Sequence, residues 1–129
     1  MASIFSKIIA GEIPCYKVGE TEHSFAFLDI RPQQKGHTLV VPKKEVDKLF
    51  DLDAESYAEL FAFARKIAQS IEKEFDCNRC GMAVIGLEVP HAHIHLIPIN
   101  SLSDMTFGAG LSLESAEFQE IAERIGKEL

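Results

Sequence analysis

The segment Pro90-His91-Ala92-His93-Ile94-His95-Leu96-Ile97-Pro98 places three imidazoles at alternate positions, separated by the apolar Ala92 and Ile94 and followed by Leu96. Residues two apart on a strand share a face, so the three rings are expected on one side, roughly 6.5 to 7 Å apart at Cα, with the apolar residues packed into a core. Rings at that spacing can surround one tetrahedral group. One nitrogen can attack, another can give a proton to the leaving group, and others can bond the nonbridging oxygens. Unperturbed imidazole titrates at about 6.5, and crowding disfavours charging several rings together, so a neutral nucleophile beside a protonated partner and a bell-shaped pH profile are expected.

Two other readings of the trio stand beside this one. The rings could be the polar face of a half-exposed strand, although an alternating trio is rarely a chance product of only five His in 129 residues. Three His also make a catalytic zinc set, but no nearby carboxylate or thiol is evidently placed to complete or orient the shell. His37, which follows Gly36 at the start of another expected strand, is a fourth candidate, whereas His23, between Glu22 and Ser24, reads as surface. Cys77-Asn78-Arg79-Cys80 has C-x-x-C spacing without a second half or a βαβ context, so these read as ordinary thiols near a helix end.

The elements that must position these residues follow from periodicity and turn residues. Ile4, Ile8 and Ile9 predict a short helix over Ser3 to Ala10, stopped by Gly11 and Pro14. Tyr16 to Val18, Ser24 to Leu28 and His37 to Val41 read as strands, with Arg31 to Gly36 as a loop and Pro42 as the end of the third. After Asp53 as N-cap, Tyr57, Leu60, Phe61, Ala64, Ile67, Ala68, Ile71 and Phe75 trace one face of a long helix. Asp76 to Arg79 is expected as a loop, Met82 to Ile85 and Val89 to Ile97 as strands broken at Gly86, and Leu113 to Lys127 as a final helix capped by Ser112. This order predicts one α+β domain over residues 1–129, with a mainly antiparallel five-stranded sheet, one long helix and two shorter ones.

Composition narrows the partners. At 47% hydrophobic and 26% charged residues the chain is globular, and at this length it should bury roughly two thirds of its unfolded surface. Thirteen basic against twenty acidic side chains give a net charge of −7, which opposes a nucleic-acid polymer but leaves room for a small phosphate ligand in a local site. No secretory or membrane-spanning stretch is expected, and the odd number of cysteines, Cys15, Cys77 and Cys80, favours a reducing, cytoplasmic setting.

In combination, Ile4-Phe5-Ser6-Lys7-Ile8-Ile9, Gly11-Glu12-Ile13-Pro14, Phe25-Ala26-Phe27-Leu28-Asp29-Ile30, Gly36-His37-Thr38-Leu39-Val40-Val41-Pro42-Lys43-Lys44 and the His trio resemble, in order, the histidine-triad (HIT) family, nucleotide-binding Hint-like branch. The resemblance runs from Ile4 to about Pro98. It implies His93 as the nucleophile that attacks the α-phosphorus of a nucleotide, forming a nucleotidyl-enzyme intermediate that water resolves. It further implies His95 and His37 as phosphate or leaving-group contacts and His91 as the partner that shapes the site. By the same resemblance, Asp29 accepts from the ribose hydroxyls, Ile4, Phe5, Ile8, Phe27 and Ile30 enclose a purine, and two copies form a homodimer by joining their sheets.

The chain departs from the family pattern at several points. Zinc-bearing members have two Cys in the first helix and a His after the Pro-Lys strand end, where this chain carries Ser3, Ser6 and Glu45, so no structural zinc is expected. Leu87 and Glu88 stand where a Gln and a small hydroxyl residue usually precede the triad. The Asn-containing, Gly-rich turn before Gly86 is missing, and no Arg follows Pro98. These losses favour a substrate with one reacting phosphate. The expected function is metal-free hydrolysis of a purine nucleoside phosphoramidate, acyl-adenylate or related nucleotide bond through His93. The alternatives are dinucleoside polyphosphate hydrolysis and a nucleotide-binding regulatory module with little turnover.

Overall fold

The computed structural model describes residues 2–129. Helix α1 (Ile4–Ile9) is followed by strands β1 (Lys17–Glu20), β2 (Ser24–Leu28) and β3 (Thr38–Pro42), then the long helix α2 (Ala54–Glu74). Strands β4 (Arg79–Ala83) and β5 (Ile94–Ile99) and the C-terminal helix α3 (Ser115–Gly126) complete the chain, with short 3-10 turns at Leu49–Asp51 and Leu102–Met105. The five strands form one antiparallel sheet in the order β1-β2-β3-β5-β4. The expected α+β fold with one long and two shorter helices is the one found.

Strand alternation sorts the core into two layers. Ala26, Leu28, Val40, Ile94 and Leu96 face α2 and α3, where they meet Leu60, Ala64, Ile67, Ile71, Phe118, Ile121 and Ile125. The intervening Phe25, Phe27, Leu39 and Val41 form a second cluster on the opposite side, closed by Phe5 and Ile8 of α1. Every residue of β2 and β3 is therefore buried, and the short helix lies across one face of the sheet while the two longer helices cover the other.

Boundaries differ from the sequence reading: β1 ends at Glu20 rather than Val18, β3 runs one residue later than His37 to Val41, and three further shifts lie at β4, β5 and α3. Strand β4 begins at Arg79, so the loop after α2 is shorter than Asp76 to Arg79 and the strand ends before Val84. Val89 to His93 lies outside the ladder, and β5 starts only at Ile94. Pro90 has no N–H to donate, the His91 amide turns back to the Val89 carbonyl (2.8 Å), and the Ala92 amide is taken by the Val46 carbonyl (2.7 Å). Helix α3 starts two residues late, with Glu114 rather than Ser112 at its N-cap, because Leu113 is drawn into the core.

One contact ties the long helix to the loop that carries His37. Gly36 has φ +101°, a conformation that L side chains rarely adopt, and a Cβ there would lie 3.0 Å from the ring of Phe75, the residue that terminates α2.

Ile67 is fully buried where α2 meets the sheet. Ile67→Ala is expected to lower the unfolding free energy by roughly 2–5 kcal/mol through lost transfer energy and a residual cavity. A urea titration followed by far-UV circular dichroism measures that loss.

Candidate active site

His37, His91, His93 and His95 are all buried, and they converge on the α1 side of the sheet. Only His95 lies within a strand, opposite Leu39 of β3. His91 and His93 precede β5, yet the alternation expected of the trio persists, because Ala92 and Ile94 pack into the helix-side core while the rings of His91 and His93 meet Phe5 edge-on. His93 and His95 have ring centroids 5.0 Å apart, and His37 and His95 5.2 Å.

Hydrogen-bond partners that can only donate or only accept decide which ring nitrogen carries hydrogen. The Gln33 amide donates to Nδ1 of His37 (3.0 Å), so that ring carries its hydrogen on Nε2, which donates to Nδ1 of His95 (3.0 Å). His95 therefore holds its own hydrogen on Nε2. Nε2 of His91 lies 2.7 Å from the Pro42 carbonyl and must donate, which leaves Nδ1 to accept from the Ser3 hydroxyl, also at 2.7 Å. Nδ1 of His93 donates to the His91 carbonyl (2.7 Å), so Nε2 of His93 keeps a free lone pair. Among the described residues, neither Nε2 of His93 nor Nε2 of His95 has a partner.

Burial reinforces this neutral arrangement. Desolvation is the main cause that pushes His37 down to about 4 against the opposing charge of Asp29, whose Oδ2 lies 3.6 Å from Nε2. His95 is pushed down to about 4 by desolvation and then by the neighbouring His37 and His93. Desolvation lowers His91 as well, partly opposed by its bond to Pro42 and by Glu45.

A cavity of about 450 Å³ opens beside these rings. His93 and His95 line it, whereas His37 and His91 stand behind them. Ile4, Phe5, Ile8, Phe27, Asp29 and Ile30 line it too. Leu87 and Glu88 form an exposed part of its rim, placing a carboxylate rather than amide and hydroxyl donors there. Sequence reasoning missed Phe107, whose ring meets His95 edge-on at 4.9 Å and His37 at 6.0 Å. Its loop is latched to the turn before His37 by Gly108 N–H to Gln33 Oε1 (3.0 Å) and Leu111 N–H to the Pro32 carbonyl (2.7 Å). Nothing local in Phe107-Gly108-Ala109-Gly110 marks that docking.

Comparison with known proteins identifies the family. The HIT domain model matches residues 10–102. The chain belongs to the HIT family. Among HIT relatives, it is 40% identical over 99 residues to adenosine 5'-monophosphoramidase hnt1 of Schizosaccharomyces pombe, covering 76% of this chain and 74% of that protein. It is 36% identical over 99 residues to the asymmetrical bis(5'-nucleosyl)-tetraphosphatase of the same yeast, covering 73% of this chain and 53% of that one. A crystal structure of a Hit-like protein from Bartonella henselae superposes with a TM-score of 0.86 at 32% identity, covering 98% of this chain and 96% of the other.

Neither place where this HIT chain gathers ligand-type residues suits a metal. Asp29, His37 and His95 bring one potential ligand atom each within 4.8 Å of the others, but Nε2 of His37 carries hydrogen because Nδ1 faces an amide donor. Ser3, Ser6 and Glu45, which stand where zinc-bearing members carry ligands, do come together, with His91 beside them. That set offers two neutral hydroxyls where zinc favours thiolate or imidazole, and Nδ1 of His91 already accepts from Ser3.

The depressed His37 and His95 values dictate an acid limb of stability. Unfolded imidazole protonates near 6.5, whereas these two stay neutral until about 4 in the fold, so below 6.5 the unfolded chain binds more protons. Stability is expected to fall as pH drops from 6.5 towards 4 and to gain nothing from these groups above that window. Urea midpoints across the range, with a shallower decline in His37→Gln, test this.

Proposed function

We propose that this HIT protein is a nucleotide hydrolase that cleaves a purine nucleoside phosphoramidate or related bond at the α-phosphorus through a covalent intermediate on His93. The observation that carries the reading is the tautomer order just described, with a bare Nε2 on His93 and a hydrogen-bearing Nε2 on His95 at the wall of one cavity. Nε2 of His93 attacks phosphorus, and the P–N bond breaks with its electron pair on nitrogen. The phosphoramidate nitrogen takes a proton from solvent, and the amine leaves carrying it. The His95 N–H bonds a nonbridging oxygen as charge builds there. The ring of the nucleotidyl-His93 intermediate is cationic, and its Nδ1–H bond to the His91 carbonyl strengthens as that charge develops. Water then attacks phosphorus, loses a proton to solvent, and returns the electron pair to Nε2.

The apolar walls Ile4, Phe5, Ile8, Phe27 and Ile30 suit a flat purine, and Asp29 suits a ribose diol. Asp29 has one oxygen committed to the Arg31 amide (2.8 Å), which leaves the other for a ligand. The names of the yeast relatives support nucleotide hydrolysis in general. Among the described residues, the only cationic side chain on the cavity wall is Arg31, set against Asp29 and Glu88, which favours one reacting phosphate over a polyphosphate tail.

The same proposal includes two further parts. Strand β4 is an edge with exposed Met82, and joining it to a second copy would give the homodimer. Free Cys15, Cys77 and Cys80 fit a reducing cytoplasmic location. No described helix is long and apolar enough to cross a membrane.

Rapid-quench mass spectrometry with an AMP phosphoramidate is expected to trap a nucleotidyl adduct in the parent protein and none in His93→Ala. AMP bound without an adduct would mean a binding module instead. In competition under identical conditions, the phosphoramidate is expected to exceed diadenosine tetraphosphate in kcat/KM, and the reverse order would favour polyphosphate hydrolysis.

A further inference from the structure

Behind His93 stands a group of side chains that do not line the cavity. Glu45, three residues past the end of β3, accepts the Ser3 amide (2.6 Å) and the Ser6 hydroxyl (2.7 Å) on one oxygen, Oε1. Ser3 caps α1 by accepting the Ser6 amide (3.0 Å), and its hydroxyl then reaches Nδ1 of His91 (2.7 Å). From the other side of the ring, Nε2 of His91 is held by the Pro42 carbonyl. The Ala92 amide is held by the Val46 carbonyl, so residues 42–46 and the start of α1 grip the His91 segment on several sides. None of Ser3, Ser6, Glu45 or His91 lines the cavity.

We propose that Ser3 and Glu45 are positioning residues that act through His91: they fix its ring and thereby aim its carbonyl at Nδ1–H of His93, which keeps the attacking Nε2 bare. This inference rests on the reading of His93 as nucleophile. The direction of the Ser3 bond matters as much as its presence. A hydroxyl can donate to the lone pair on Nδ1 of His91, whereas a group that only accepts would force hydrogen onto both nitrogens and place a cation directly behind His93. Glu45 supplies the fixed end, and its bonds to Ser3 and Ser6 hold its carboxyl down to about 2, so it stays ionised at every pH where the imidazoles titrate. The charged or titratable groups that act on His91 are Glu45, which favours its charged form, and His93, which disfavours it.

Substitutions at Ser3 separate this role from simple helix capping, because Asp caps a helix as well as Ser but can only accept. Ser3→Ala, Ser3→Asp and Ser3→Thr are compared with the parent by two readouts. One is the ring-nitrogen shifts of 15N-histidine-labelled protein without ligand, and the other is kcat and KM for an AMP phosphoramidate. Ser3→Ala and Ser3→Asp are expected to lose on the order of 10- to 100-fold in kcat with KM within about 3-fold. Nδ1 of His93 should lose its sole claim to hydrogen in both, and Nδ1 of His91 should gain hydrogen in Ser3→Asp. Ser3→Thr, which keeps a donor hydroxyl, should restore the parent pattern in both readouts.

The proposal is overturned if Ser3→Asp keeps parental kcat and parental His93 shifts. It is equally overturned if the Ala variant loses activity only in proportion to thermal stability while its folded fraction shows unaltered His93 nitrogens. If the parent itself forms no adduct, the proposed function fails. The shifts of the resting protein still report whether Ser3 orders His93, so the two failures are told apart.

Discussion

Three of the four imidazoles in the site face a main-chain partner that can act in only one sense, and His95 takes its order from His37. An amide nitrogen cannot accept and a carbonyl oxygen cannot donate, so the Gln33 amide, the Pro42 carbonyl and the His91 carbonyl determine where hydrogen resides on four rings. In water an imidazole exchanges freely between two neutral tautomers and a cation. Here the main chain selects one of the three for His37, His91 and His93, and His37 passes the selection to His95, while burial makes any departure costly. The chemistry proposed at phosphorus depends on that selection, because only a bare nitrogen attacks and only a hydrogen-bearing one can steady the oxygens.

Such control requires a main chain that does not move, and the fold supplies it by burying the central strands on both faces. Alternation in β2, β3 and β5 sends one set of side chains to α2 and α3 and the other to α1. The His segment is anchored by Ala92 and Ile94, both in the helix-side layer, while α1 contributes Phe5 against the rings of His91 and His93. A helix of six residues would be marginal alone. It persists because Ser3 and Glu45 satisfy its opening donors and Phe5 is buried.

Much of this was written in the local pattern. Eight apolar positions from Tyr57 to Phe75 announce α2, and the His trio announces its common side even though only His95 sits in a strand. The cavity walls Phe5, Ile8 and Phe27 followed from the family resemblance rather than from periodicity, since a buried Phe reads the same in a core as beside a ligand. What stayed illegible was long-range. Gln33 matters because its amide meets a ring four residues away across a turn, Phe107 because its loop folds back over 75 residues to Gln33, and Glu45 because it meets a helix start 42 residues earlier. The late start of β5 has the same origin, since the Ala92 amide is claimed by Val46, which no strand pattern signals.

The contact of Phe75 with Gly36 makes α2 a measuring rod as well as a wall. Each residue of an α-helix adds 1.5 Å and a rotation of about 100°, so one residue inserted into or deleted from α2 would swing the Phe75 ring away from the turn it covers. Gly36 would then lose the lid over its left-handed backbone, and His37 directly after it would lose its support. Helix length is thereby coupled to ring placement at the far side of the sheet, and the spacing between Leu60 and Phe75 is held by geometry even where individual surface residues are free to change.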